Sequence, residues 1–264
     1  MFVRLVLTLF LFTTCLAEDT VALLFLTRRD PNHADLWAEE IAKESNHFTV
    51  YVHPKEELEH PFFKRRKIKK SVPTSWDKHY GAWVALLKAA LKDRRNKKFC
   101  FLSESCVPLH PLGEIYSRLM ADFHSYICYA TPEGKAHTHA VKELPKQHRW
   151  VNHEWIILNR KHARLVAMDR EILPICEVYP IDNEVYPASL LSVKGCLNPN
   201  EVHNQLSTFV LWTATSYLHP KMFTEGTPEE MALLLAGKER CFFARKFSKQ
   251  FPSHLLRQLL HPKS

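Results

Sequence analysis

The sequence predicts an α/β fold with a mainly parallel central sheet flanked by helices, and three observations lead to this class. A continuous apolar run, VALLFLT at residues 21–27, is typical of a central parallel strand that is buried on both faces. A second run, FCFL at residues 99–102, is followed by a polar turn and a segment with helical spacing. Strand patterns alternate with helix patterns along the chain, which favours parallel strands joined by helices.

The first half of the chain carries three predicted strands and three predicted helices. The strands cover residues 21–27, 48–53 and 99–102, and their apolar and aromatic content is typical of a sheet interior. The helices lie near residues 36–41, 80–93 and 112–120, and their spacing places Leu36, Trp37, Ile41, Trp83, Leu87, Ala90 and Leu91 on inward faces.

The second half continues the alternation. Predicted strands cover residues 125–130, 150–158, 206–213 and 241–247, and predicted helices cover residues 160–171, 188–193 and 254–260, with Gly195 ending the second of these helices. A further helix begins at Thr227, where Pro228 takes the first helical position and Glu230 completes a capping box. Gly237 is expected to end it. No linker interrupts the pattern, so residues 20–264 are interpreted as one domain.

The net charge favours acidic partners. Of 264 residues, 36 are Lys or Arg and 28 are Asp or Glu, which gives a formal charge of +8. A surplus of this size suits a nucleotide, a polyanion or an anionic membrane without choosing among them. Residues 64–70, KRRKIKK, are the densest basic stretch. A solvated loop is favoured there over a nucleic-acid site, because no aromatic platform is interleaved.

Residues 1–17 have the composition of a signal peptide or a short signal-anchor. Arg4 provides the positive start, residues 5–12 are apolar, and the small residues Cys15 and Ala17 precede a candidate cleavage point. The segment is short for a bilayer span. It predicts a location in the secretory pathway or at a membrane, with membrane association through the N-terminus. The six later cysteines then permit disulfides, and buried free thiols are the alternative.

Several common sites are excluded by their motifs. The chain has no GxxxxGK[ST] phosphate loop, no GxGxxG, no GxSxG, no HExxH and no CxxC. His137 and His139 form an H-x-H pair with His148 nearby, and such a pair can bind a metal. Chance clustering is favoured, because the chain contains 16 histidines.

Polar residues at strand ends and three aromatic residues suggest a site for a nucleotide sugar. Ser103, Glu104 and Ser105 follow the strand at residues 99–102, where ligands bind in open α/β sheets, although an ordinary loop explains them equally well. The remaining candidates are the carboxylates Asp182 and Glu184, the cations Arg245 and Lys246, and the tryptophans Trp150, Trp155 and Trp212. Carboxylates accept protons from sugar hydroxyls, aromatic rings stack on sugars, and cations neutralise a diphosphate leaving group.

A resemblance to a known family joins these features. The segments that carry it are VALLFLTR, FTVYVHP, KKFCFLSESCVPL, GEIYSRLM, YPIDNEVYPASLL, FVLWTATSYLHP and CFFARKF, in that order. They resemble the core 2/I-branching β-1,6-N-acetylglucosaminyltransferase family (glycosyltransferase family 14), and most of all its "Branch" members in plants and microbes. The resemblance covers roughly residues 21–250.

The resemblance implies a GT-A-like nucleotide-sugar transferase fold and an inverting, metal-independent transfer to a glycan acceptor. The implied donor is UDP-GlcNAc with a β-1,6 linkage, and UDP-xylose is the alternative. Many GT-A enzymes hold a divalent cation with a DxD motif at the strand end that Leu102 to Ser105 occupy here. This sequence has no DxD there, in agreement with the metal-free members, so neither a metal nor another cofactor is expected.

Matched residue by residue, Glu184 falls on the family's catalytic base, and a shifted gap would place Asp182 there. Lys246 falls on a lysine that contacts the donor diphosphate. An arginine that helps to bind the diphosphate has no clear counterpart near residues 214–219, and Arg245 and Lys221 are the candidates to replace it. A non-catalytic carbohydrate- or polyanion-binding protein of the same fold is the alternative function.

The other matched positions contact the nucleotide or the acceptor. Trp212 falls on an acceptor-contacting tryptophan, and His53 lies where mucin-type members carry a nucleotide-binding aspartate. The predicted nucleotide-binding residues are Thr27, Arg28, His53, Ser103, Glu104 and Ser105, and the predicted acceptor-binding residues are Trp212, Trp155 and Glu154. The implied partners are a UDP-sugar and a glycan acceptor, with no nucleic acid.

Overall fold

The computed structural model describes residues 18–75, 77–134, 141–213 and 219–262. The strands are β1 (Thr20–Thr27), β2 (Phe48–Pro54), β3 (Asn96–Ser103), β4 (Val107–Pro108), β5 (Ser125–Tyr126), β6 (Tyr129–Ala130), β7 (Val151–Asn152), β8 (Ile157–Asn159), β9 (Val202–His203), β10 (Thr208–Val210) and β11 (Phe243–Arg245). The α-helices are α1 (Ala34–Lys43), α2 (Pro61–Lys64), α3 (Tyr80–Ala90), α4 (Leu112–Met120), α5 (Arg160–Met168), α6 (Leu173–Cys176), α7 (Tyr186–Val193), α8 (Pro228–Lys238) and α9 (Ser253–Leu260). The predicted leader and Trp76 lie outside the described residues.

The central sheet confirms the predicted α/β class. Its six strands are ordered β2-β1-β3-β8-β5-β9. The pairs β1–β2, β1–β3 and β5–β9 are parallel, whereas β8 runs antiparallel to both of its neighbours, β3 and β5. Helices α3, α4 and α5 pack on this sheet, so β1 and β3 are almost entirely buried. Burial on both faces explains why these two strands read as continuous apolar runs.

A smaller, three-stranded sheet is built from two strands of the C-terminal third and one strand of the first half of the chain. Its order is β10-β11-β4, with β10 parallel and β4 antiparallel to β11. A second hydrophobic cluster lies around it and includes Leu36 of α1, Leu234 of α8 and Leu256 of α9. The backbone N–H of Phe247 donates to the Ser105 carbonyl oxygen at 3.0 Å. This bond ties the end of β11 to the loop that follows β3.

Two segments that were predicted to be single strands each form two separate strands, so these two predictions were wrong. Residues 125–130 divide into β5, which belongs to the central sheet, and β6, which pairs with β7 in a separate two-stranded ribbon. Residues 150–158 divide in the same way into β7 and β8. Each segment leaves one sheet and joins another within a few residues. Local apolar content does not reveal such a change, because it is high on both sides of it.

Helix ends are set by local polar contacts. The helix predicted at residues 160–171 ends at Met168, because the Asp169 carboxylate accepts backbone hydrogen bonds from Glu171 and Leu173 and so forms a new turn. Gly195 follows α7 with φ of +70°, as predicted for a residue beyond a helix end. Gly237 does not end α8, which continues to Lys238. Its predicted role was therefore wrong.

The cysteines follow the free-thiol alternative in the described part of the chain. All six cysteines there are free, and five of them are buried. Burial raises the pKa of Cys176 and Cys241, to about 12 and about 11, which keeps these thiols protonated at neutral pH. Within the described ranges, no helix combines the length and the apolar character that crossing a bilayer requires.

Candidate active site

A cavity of about 850 Å³ opens at the carboxyl ends of β1 and β3. Ligands bind at this end of the strands in open α/β sheets, so its position agrees with the strand-end prediction. The structure places ten of the predicted site residues on its wall, namely Thr27, Arg28, Glu104, Ser105, Glu154, Trp155, Glu184, Trp212, Arg245 and Lys246. These residues come from six separate segments of the chain.

Polar groups connect the two strand ends at the floor of the cavity. Thr27 is the last residue of β1, and its buried hydroxyl has no hydrogen-bond partner. The backbone N–H of Arg28 donates to Oε2 of Glu104 at 2.9 Å. A buried unsatisfied hydroxyl costs free energy, so Thr27 is suited to bond a ligand that fills the cavity.

The small sheet brings two adjacent cations to the cavity. Arg245 ends β11 and pairs in register with Val210, and Lys246 follows it. The guanidinium carbon of Arg245 lies 4.4 Å from the centroid of the Trp155 ring, and its buried Nε has no hydrogen-bond partner. Burial and the charge of Arg245 lower the pKa of Lys246. An anion between these two side chains would relieve both costs.

Two further cations, Arg28 and Lys55, line the same cavity. The Nε of Arg28 donates to Oε1 of Glu56 at 2.5 Å, and Lys55 is exposed at the end of β2. Lys55 was not predicted as a site residue, although its place directly after the strand ending in Pro54 is a signal that the sequence contains. Both sheets therefore contribute positive charge to the cavity, which suits an anionic ligand.

A strained turn presents Glu184 to the cavity. Residues Asp182–Glu184 form one 3-10 turn before α7, and Ile181 enters it with φ of 57°. This left-handed conformation is costly for a β-branched residue and is found where function requires a particular geometry. The Glu184 backbone N–H closes the turn on the Ile181 carbonyl at 3.0 Å.

Only one of the two candidate base carboxylates lines the cavity. Glu184 does, whereas Asp182 is 2% exposed and lies outside the lining. Burial raises the pKa of Asp182, and the charge of His79 opposes that rise. Asp182 is therefore a buried part of the turn, and Glu184 is the carboxylate that a substrate in the cavity can reach.

A histidine–glutamate pair that the sequence did not predict also lines the cavity. Nε2 of His79 donates to Oε1 of Glu154 at 2.7 Å. Burial alone would lower the pKa of His79, but the hydrogen bond and charge of Glu154, with the charge of Asp182, outweigh burial and raise it. The two residues are 75 positions apart, so no local pattern could have joined them.

Three predicted site residues lie away from the cavity lining. His53 is buried in β2, where its Nε2 accepts from the Val72 backbone N–H at 2.9 Å. Ser103 is buried, with its hydroxyl 3.1 Å from that of Ser105. Lys221 pairs with Glu230 at 3.2 Å. Their contacts with a nucleotide stay predictions.

The histidine pair that raised the question of a metal, His137 and His139, lies outside the described residues. Nδ1 of His148 contacts the Ser192 hydroxyl at 2.9 Å. Two other groups in the described part of the chain place three metal-ligating atoms close together, Asp122 with His124 and His203, and His162 with Cys196 and Glu201. Neither group borders the cavity.

Comparison with known proteins adds the following findings. The family model described as "Branch: Core-2/I-Branching enzyme" matches residues 21–234. A curated relative, "Glycosyltransferase BC10" of Oryza sativa subsp. japonica, is 34% identical over 117 residues. That match covers 43% of this chain and 29% of the relative, so the chain spans less than a third of the relative's length.

Two solved structures are similar at low identity. One is a glycosyltransferase involved in the glycosylation of the major capsid of PBCV-1, with 11% identity, a TM-score of 0.40, and coverage of 85% of this chain and 93% of that one. The other is the apo structure of the WbbM bifunctional glycosyltransferase, with 10% identity, a TM-score of 0.42, and coverage of 86% and 46%.

Proposed function

The chain belongs to the Core-2/I-branching enzyme family, and we propose that it is an inverting glycosyltransferase that uses a UDP-sugar donor. The proposed donor is UDP-GlcNAc, and the proposed product is a β-1,6 linkage to a glycan acceptor. UDP-xylose is the alternative donor. The name of the rice relative, a glycosyltransferase, supports this class of reaction.

One observation carries the proposal. A single cavity joins a carboxylate able to accept a proton, Glu184, with two adjacent cations, Arg245 and Lys246, and an aromatic surface, Trp212. Trp212 is 51% exposed, so its ring is available to stack on a sugar. Transfer from a nucleotide sugar can use each of them: a base for the acceptor hydroxyl, cations for the diphosphate, and an aromatic surface for the sugar.

The proposed reaction assigns one role to each group. The acceptor hydroxyl oxygen attacks the anomeric carbon of the donor and forms the new glycosidic bond. Its proton passes to Glu184. The bond between the anomeric carbon and the diphosphate breaks, and its electron pair leaves with UDP. Arg245 and Lys246 stabilise the negative charge that develops on the diphosphate.

Arg245 is also the better candidate for the second diphosphate contact. It lies on the cavity wall beside Lys246, and its Nε has no hydrogen-bond partner. Lys221 is already paired with Glu230 outside the cavity lining. We therefore assign the role of the unmatched family arginine to Arg245.

The deciding experiment measures UDP release from the purified protein with UDP-GlcNAc or UDP-xylose and a panel of glycan acceptors. Glu184→Gln keeps the size of the side chain but cannot take up the proton, so turnover should fall by roughly 10²–10⁴-fold. UDP affinity should stay nearly unchanged, because Glu184 does not contact the diphosphate in this proposal.

Asp182→Asn is the matched control and should reduce turnover much less, because Asp182 does not line the cavity. If Asp182→Asn abolishes turnover and Glu184→Gln does not, the two roles are exchanged. Sugar and UDP binding without release of UDP from any donor would favour the non-catalytic alternative.

Metal independence is a separate part of the proposal. Its support is that Arg28, Lys55, Arg245 and Lys246 already supply positive charge around the cavity. UDP release should therefore continue in EDTA at the rate seen without it. Complete loss in EDTA with recovery on addition of manganese would show that a divalent cation takes part.

A further inference from the structure

A second, strongly basic groove lies at the other end of the central sheet. It has a volume of about 650 Å³ and lies where the end of α3 and the start of β3 meet α5. Nine described residues line it, and six of them are basic, namely Lys88, Lys92, Arg94, Lys97, Arg160 and Arg164. None of the nine is acidic.

The charge of the groove is poorly compensated. Lys88, Lys92, Arg94 and Arg164 are exposed and form no ion pair with the described residues. Lys97 pairs with Asp19 at 3.3 Å. Like charges at this density repel one another, so an anionic ligand that fills the groove gains binding energy from several side chains at once.

Arg160 gives the groove a fixed floor. Its guanidinium donates to the carbonyl oxygens of Leu91, Asp93 and Asn96, each at 2.9 Å. These bonds lock the end of α3 to α5. Lys88 lies on α3 and Arg164 on α5, and Lys92 and Arg94 lie in the turn whose carbonyl oxygens Arg160 binds. The backbone that carries these four cations is therefore fixed.

The chain enters the fold beside this groove. The Thr20 backbone N–H donates to the Arg95 carbonyl oxygen at 2.8 Å, and Asp19 pairs with Lys97. Asp19 and Thr20 therefore lie next to the basic side chains, and residues 1–17, with the apolar run at residues 5–12, precede them in the sequence. Met168, on the rim of the groove, is 70% exposed and adds an apolar contact to the same face.

We propose that this groove is a membrane-facing surface that binds the phosphate groups of anionic lipids. The order of the chain decides for lipid over a soluble polyanion, because the apolar run at residues 5–12 precedes Asp19, which pairs with Lys97 of the basic cluster. A single apolar segment or a single basic patch gives weak and reversible membrane binding. The two combined give stable association.

This orientation has a consequence for the candidate active site. The groove lies at the start of β1 and β3, and the 850 Å³ cavity lies at their ends. Seven residue steps along β1 separate the two by roughly 23 Å at about 3.3 Å per step. Bound through the groove, the protein would hold its cavity at the end remote from the lipid surface, where acceptors extending into solvent can reach it.

The test is flotation of the full chain with neutral phosphatidylcholine vesicles and with vesicles containing phosphatidylserine. The protein should partition more strongly onto the anionic vesicles, and the difference should shrink as salt is added. The triple variant Lys92→Ala/Arg94→Ala/Arg164→Ala should lose roughly 100-fold in partitioning onto anionic vesicles, at about fivefold per basic side chain. Its binding to neutral vesicles, its melting temperature and its UDP affinity should not change.

The matched control removes three exposed charges from the basic stretch at residues 64–70. Arg65→Ala/Lys69→Ala/Lys70→Ala lowers the net charge equally and should keep most of the preference for anionic vesicles. An equal loss in both triple variants would reduce the effect to net charge and overturn the proposal. It would also be overturned if the groove variant lost binding to heparin-agarose but not to anionic vesicles, since the groove would then serve a soluble polyanion.

Discussion

Lys246 is half-buried beside Arg245, and burial of an ammonium group next to another cation costs free energy unless an anion neutralises it. We expect Lys246→Ala to weaken binding of UDP by about 1.5–3 kcal/mol, the range for hydrogen bonds to charged groups. This corresponds to a rise in Kd of roughly 10- to 150-fold in calorimetric titration. The variant itself should fold normally, since the removed charge is unfavourable in the empty protein.

Lys221→Ala is the matched control for this change, because Lys221 pairs with Glu230 and lies outside the cavity lining. It should leave UDP affinity nearly unchanged. An equal loss of affinity in the two variants would contradict the assignment of Lys246 to the diphosphate.

His79 gives the stability of the protein a defined dependence on pH. The hydrogen bond with Glu154 raises its pKa in the folded state against the effect of burial. The stabilisation is therefore fully present below the unfolded pKa of about 6.5, and it is lost as pH rises through the higher folded pKa. The difference in unfolding free energy between the wild type and His79→Gln should be largest near pH 5.5 and should shrink by pH 9, as measured by urea denaturation.

The same measurement in a Glu154→Gln background isolates the pair. Without the carboxylate, burial lowers the pKa of His79, so the cost of replacing His79 should no longer be largest at low pH. A cost that is still largest near pH 5.5 in the Glu154→Gln background would assign the effect to another partner of His79.

At the scale of elements, the contact between α8 and β10 depends on the absence of a side chain at Gly237. A Cβ atom there would lie 2.6 Å from Cγ of Phe209, inside van der Waals contact. We expect Gly237→Ala to lower the unfolding free energy by about 1–3 kcal/mol, the usual cost of overpacking, despite the better helix propensity of alanine. A shift in the urea midpoint with an unchanged slope would measure it.

Gly81 in α3 offers the matched control. The nearest atom to a Cβ there is Cγ2 of Val72 at 3.8 Å, an ordinary contact. Gly81→Ala should therefore stabilise the protein by about 0.4–1 kcal/mol. If both substitutions shift stability in the same direction, close packing at Gly237 is not the reason for its effect.

Across the whole molecule, the candidate active site lies where the two sheets and their two hydrophobic clusters meet. The central sheet contributes the ends of β1 and β3, and the small sheet contributes Arg245 at the end of β11 and Trp212 just beyond β10. The Phe247–Ser105 backbone bond holds these two contributions together. A change in the packing of the small sheet would therefore move the cations relative to the carboxylates without altering any residue of the cavity.

The cores also explain how the protein is held together without disulfides among its described cysteines. The larger hydrophobic cluster surrounds the central sheet, and the buried Cys100, Cys106, Cys176 and Cys196 belong to it as small apolar side chains. An even number of cysteines therefore did not indicate cross-links in this part of the chain.

Patterns in the sequence were enough to predict the fold class, the buried strands and the family. Continuous apolar runs predict β1 and the centre of β3, because burial on both faces favours apolar side chains at successive positions. The sequence also identified ten of the residues that line the cavity, through motifs that stand at strand ends and in the family's order. These are properties of short segments, so they can be recognised without knowing which segments contact one another.

Which of those residues meet follows from the three-dimensional fold. It placed Glu184 on the cavity wall and Asp182 behind it, paired His79 with Glu154, and left Lys221 outside. It also divided residues 125–130 and 150–158 between two sheets. Each of these outcomes depends on contacts between positions far apart in the chain, and contacts of that kind form through packing that no local pattern of side chains records.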